Sequence, residues 1–123
     1  ADVVFGDVIR LAGYTLETGE TVKITLAWQA LAEMETAYRV FVHIVGVEGQ
    51  ILAQNDGEPA GWTRPTPGWA VKGVVLDERV IPIPGNATPG DYVIRVGWYE
   101  PDGPRLLTAT GEDAIVIGTL TVR

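Results

Sequence analysis

Polar and apolar residues alternate along much of this chain, most regularly at 92–99. There Tyr92, Ile94, Val96 and Trp98 fall on one side, and Val93, Arg95, Gly97 and Tyr99 on the other. Successive side chains of a strand point to opposite faces, so this spacing predicts a β-strand with one strongly apolar face, set near the middle of a sheet. Pro89-Gly90 just before it has the chemistry of a turn. Residues 21–29 repeat the pattern, with Val22, Ile24, Leu26 and Trp28 inward and Lys23, Thr25 and Ala27 outward. Residues 7–16 predict another strand, in which Val8, Arg10, Ala12 and Tyr14 oppose Ile9, Leu11 and Gly13. Residues 38–45 are apolar on both faces, which predicts a central strand.

Turn residues divide these runs. Thr18-Gly19-Glu20 separates the second strand from the third, and Gly46-Val47-Glu48-Gly49 leads by a hairpin into a strand at 50–55. Further strands are predicted at 74–83, 105–108 and 114–122, with a short edge strand or linker within 1–6. Residues 31–37 have helix-forming types, but seven residues are too few for an independent helix, so they predict a crossover loop. Residues 56–73 carry no period. Gly57, Gly61, Gly68 and Gly73 alternate there with Pro59, Pro65 and Pro67, which no central strand tolerates. About eight strands with turn chemistry between them predict an all-β fold, a single antiparallel β-sandwich of immunoglobulin-like or jelly-roll-like type covering 1–123 as one domain.

Composition narrows the function mainly by exclusion. Nine basic and sixteen acidic residues give a net charge of −7, which argues against nucleic acid or an anionic membrane surface as partner. The absence of cysteine rules out disulfides and thiolate chemistry. With no serine and a single histidine, His43, neither a serine triad nor the usual zinc sets can be built, and no cofactor is expected. His43 lies mid-strand between Phe41 and Val45, where a packed imidazole with one hydrogen-bond partner is the plain expectation and a ligand contact the alternative. Asp56, Glu58 and Asp77 flank the long loop. Asn55-Asp56-Gly57 has turn chemistry, and a calcium site or a carboxylate pair has no supporting spacing. The chain is therefore not expected to be an enzyme. A start at Ala1 fits a processed secreted protein or a piece of a longer one.

The tryptophans point further. Trp28 and Trp98 fall on core faces, whereas Trp62 and Trp69 lie in the unpatterned loop with Arg64 between them. Sugar rings stack on exposed aromatics while acidic and basic groups hold their hydroxyls, so Trp62, Arg64, Trp69, Asp56 and Asp77 form the candidate ligand-binding set. The alternative is that one or both tryptophans fold back as a lid over an open end of the sandwich.

Several short motifs resemble one family. They include Phe5-Gly6-Asp7 with Leu11-Ala12-Gly13-Tyr14, Phe41-Val42-His43-Ile44, Gln54-Asn55-Asp56, Pro89-Gly90-Asp91-Tyr92, Val96-Gly97-Trp98-Tyr99 and Gly103-Pro104-Arg105-Leu106. Together they are similar to the soluble C-terminal β-sandwich domain of bacterial multi-span membrane glycosyltransferases of the protein mannosyltransferase kind. The resemblance implies an extracytoplasmic, non-catalytic module that binds glycan or a glycosylated acceptor beside a membrane-embedded parent. By position its polar markers are His43, Asp56, Trp69, Asp77 and Arg105. A reading from a different class is a structural subunit of a filament or surface layer, in which copies of the chain polymerise by strand addition through the terminal strands.

Overall fold

The computed structural model describes residues 3–123, so Ala1 and Asp2 at the start of the predicted first segment lie outside the described residues. Eight strands follow in order: β1 (Val3–Phe5), β2 (Ile9–Glu17), β3 (Thr21–Ala30), β4 (Arg39–Gly46), β5 (Ile51–Gly57), β6 (Val74–Pro82), β7 (Gly90–Tyr99) and β8 (Ile115–Val122). They form two antiparallel four-stranded sheets, β1-β2-β3-β6 and β5-β4-β7-β8. The chain passes between the sheets after β3, β5 and β6, a Greek-key connectivity of the immunoglobulin-like kind. A tyrosine corner accompanies it: buried Tyr92, near the start of β7, donates its hydroxyl to the Thr88 carbonyl at 2.6 Å. The segment at 31–37 is irregular, as its length requires, and no helix occurs among the described residues.

The interior is filled by the inward faces of both sheets: Val22, Ile24, Leu26 and Trp28 from β3 meet Val40, Val42 and Ile44 from β4 and Tyr92, Ile94, Val96 and Trp98 from β7. At one end the aromatics form an edge-to-face chain, Phe5 to Trp28 to Trp98 to Trp69, with centroids 6.1, 4.9 and 6.1 Å apart. β6 alternates strictly, and its inward face is not wholly apolar: Val75, Asp77, Arg79 and Ile81 are all buried. The charges are tolerated because they satisfy each other and their surroundings. The Arg79 Nε donates to Asp77 Oδ1 at 3.0 Å, and its other nitrogens donate to the Asn55, Gly57 and Glu58 carbonyls, closing the corner between β5 and β6.

Three expectations need correction. Asn55-Asp56-Gly57 is not a turn but the end of β5, held in register with Val40, Phe41 and Val42 of β4. Residues 105–108 make only two isolated bridges, Tyr99 with Arg105 and Phe5 with Thr108, because the segment stitches the ends of the two sheets instead of joining either. In β2 a bulge between Leu11 and Gly13 shifts the alternation, so Tyr14 and Leu16 share the face of Ile9 and Leu11 instead of opposing it.

Candidate functional site

The five predicted ligand-binding residues do not come together. Trp69 is 5% exposed, with its indole N–H donating to the Arg64 carbonyl at 3.0 Å and its ring edge-on to Trp98. It seals an end of the core. Asp77 is fully buried, and besides Arg79 its carboxylate accepts from the Trp28 indole at 3.2 Å and the Ala60 backbone N–H at 2.9 Å. Both residues have their polar groups committed inside the molecule, so neither can meet a ligand at the surface. Arg64 is exposed in the loop and contributes its carbonyl to Trp69. Asp56 faces outward from β5 while Asp77 faces inward from β6, so the carboxylates flanking the loop do not converge. No three His, Asp or Glu side chains among the described residues are grouped to hold a metal.

Trp62 and Asp56 do reach the surface, at the outer face of the β5-β4-β7-β8 sheet. Trp62 is 54% exposed, and its ring lies against Gly57 and under the Arg39 guanidinium, 5.1 Å from the centroid. Its backbone φ is 71°, a left-handed conformation that is rare for a bulky aromatic.

Across the same face lies a depression of about 320 Å³ lined by Phe41, His43, Asp56, Tyr99, Gly103 and Arg105. Strand pairing assembles it. Phe41 and His43 project outward from β4, Asp56 lies opposite Phe41 on β5, and Gly97 lies opposite Phe41 on β7. The Phe41 ring packs over Gly97, where a Cβ would collide with that ring and with the Asp113 carbonyl. Arg105 stacks on the ring with its guanidinium carbon 4.2 Å from the centroid, which leaves Phe41 only 3% exposed. Asp113 accepts a hydrogen bond from Arg105 at 3.2 Å, holding the guanidinium in place from its rim. His43 Nε2 lies 3.3 Å from the Asp56 carboxylate, which also accepts the Val42 backbone N–H. Tyr99 walls the other end, 6.4 Å from Phe41.

The result is a shallow polar cleft with an aromatic wall, an oriented planar cation and an outward-facing His–Asp pair. It can stack a flat apolar face and supply donors and acceptors to hydroxyls. It holds no nucleophile of the serine or cysteine type, since the chain has neither residue. Of its lining, the sequence points to His43, Asp56 and Arg105 but not to Phe41, Tyr99 or Gly103 as site residues. The available signal was a phenylalanine on the outer face of a central strand, a position water would ordinarily disfavour unless something covers it.

No protein-family model matches the chain, and no curated protein matches it.

Proposed function

We propose that the chain is a non-catalytic, extracytoplasmic carbohydrate-binding module that takes its ligand on the outer face of the β5-β4-β7-β8 sheet, not in the long loop. One observation carries the reading. Tyr99, the His43–Asp56 pair and an Arg105 immobilised by Phe41 and Asp113 converge on one open depression. A guanidinium resting over an aromatic ring and bonded to a carboxylate has less side-chain entropy to lose on binding and offers a fork of donors. Trp62, held exposed in a costly backbone conformation nearby, adds a second stacking surface. The setting that the sequence resemblance implies, an accessory domain beside a membrane-embedded glycosyltransferase, is part of this proposal.

Titration with a panel of oligosaccharides, followed by calorimetry and by tryptophan fluorescence, tests it. A binding glycan is expected, with affinity lowered roughly tenfold or more by Arg105→Ala or Tyr99→Ala, the scale of one charge-assisted hydrogen bond or one stacked ring. Silence across neutral and acidic glycans alike would end the reading.

A second reading, self-assembly by strand addition, is favoured by β8. This strand ends its sheet, pairing only with β7 among the described residues, and from Ile115 to Val122 it carries no charge and no proline. Such an edge is a template for another strand. Sedimentation over a wide concentration range decides it: reversible growth into oligomers is its expected sign, and a monomer throughout removes it.

A further inference from the structure

Resting on the carbohydrate-binding reading, the geometry points to a more specific ligand: we propose that the face binds an acidic oligosaccharide, a chain of carboxylated sugars such as uronic acids. The side chains run in cross-strand pairs along β4 and β7, Arg39 beside Tyr99, Phe41 beside Gly97, and His43 beside Arg95. At about 3.3 Å rise per residue the strip spans roughly 13 Å, longer than one sugar ring. Arg39 stands at one end, Arg95 at the other, and Arg105 over Phe41 between them. Three cations on one strip contrast with a chain whose net charge is −7.

The charges around this strip are not evenly matched. Asp56 is engaged by His43 and the Val42 N–H, Asp113 by Arg105, and Glu112 by the Thr110 hydroxyl at 2.7 Å. Neither Arg39 nor Arg95 has a carboxylate partner among the described residues. Arg39 goes further, because its Nε is buried without any hydrogen-bond acceptor while its guanidinium lies against Trp62. That nitrogen is out of a surface ligand's reach, so only the terminal guanidinium nitrogens of Arg39 can meet one. Arg95, exposed on the outer face, lines a second depression of about 520 Å³ with Leu107, Glu112, Asp113 and Val116. These three carboxylates are thus each engaged, while Arg39 and Arg95 have none among the described residues. A carboxylate is the acceptor that matches a guanidinium's planar fork in geometry and charge.

The test compares tetragalacturonic acid with its carboxyl-reduced counterpart by calorimetry, at low and at high salt. The acidic tetrasaccharide is expected to bind at least tenfold more tightly, and the difference is expected to shrink as salt rises. Arg95→Gln and Arg39→Gln should each erode that preference, while Lys23→Gln on the opposite sheet leaves it intact. Equal binding of the two tetrasaccharides, or a preference unmoved by both arginine variants, overturns this inference and leaves the carbohydrate reading standing. Binding of neither, with another glycan of the panel still bound, also overturns this inference alone, and silence across the whole panel removes both.

Discussion

Trp62 combines two features that seldom occur together in a surface residue, an exposed indole and a left-handed backbone. The conformation costs an L-residue about 1–2 kcal/mol and costs glycine almost nothing. Removing the indole by Trp62→Gly and by Trp62→Ala should therefore give unequal stabilities, with the glycine variant about 1 kcal/mol the more stable by chemical denaturation. Both should lose ligand affinity alike. Trp62 and Trp69 are the same residue type in the same unpatterned loop, and nothing local in the sequence could sort them. Contacts far away in the chain did so, the Trp98 ring for one and Arg39 for the other. Asp77, expected in the surface set, and Arg79 are both buried, although the signal for that was present. They occupy alternate positions between Val75 and Ile81, which the strand period sends inward, and charge alone argued for the surface. Arg79→Met would strand the Asp77 carboxylate and release three carbonyls at the end of β5, with an expected loss of about 3–5 kcal/mol.

Among the elements, the long loop is better anchored than its composition implies. Thr66 is fully buried, donating its hydroxyl to the Thr36 carbonyl at 2.6 Å and accepting the Tyr38 backbone N–H at 3.0 Å. One hydroxyl so ties the loop after β5 to the crossover before β4. Thr66→Val keeps the shape but leaves those two backbone groups only their 3.1 Å bond to each other, which should cost roughly 0.5–1.5 kcal/mol and speed hydrogen exchange at Tyr38 more than at the β7 amides. Strand positions were legible because alternation and turn residues agree over most of the chain. Facing was lost where bulges intervene. In β8 the buried positions are Ile117 and Leu120, three apart instead of two, because the pairing with β7 shifts between Ile94 and Arg95.

For the molecule as a whole, the sandwich followed from the number and spacing of strands, whereas its candidate site did not. The depression draws on β4, β5, β7 and the turn after Tyr99, segments dispersed through the sequence and adjacent only because of Greek-key connectivity. No periodicity encodes that meeting. The open edge of β8 is likewise a property of the assembled sheet. Thr119 is exposed on this strand, so Thr119→Lys adds a charge that an incoming strand must bury or avoid. If copies of the chain associate at this edge, sedimentation should show that variant monomeric at concentrations where the parent assembles, with little change in unfolding midpoint.

Gly97 carries a consequence for how such a protein would change over generations. Its backbone is not left-handed, so only space excludes a side chain there; even alanine would overpack against Phe41 and a main-chain carbonyl, at about 1–3 kcal/mol. Selection for folding would therefore retain the glycine, and with it the depression, in lineages that had ceased to use it. Arg95 stands at the surface, where substitution costs the fold little, whereas Arg105 also covers the Phe41 ring. Among descendants of this chain the invariance of position 97 would record the history of its stability, and the fate of Arg95 would record the history of its ligand.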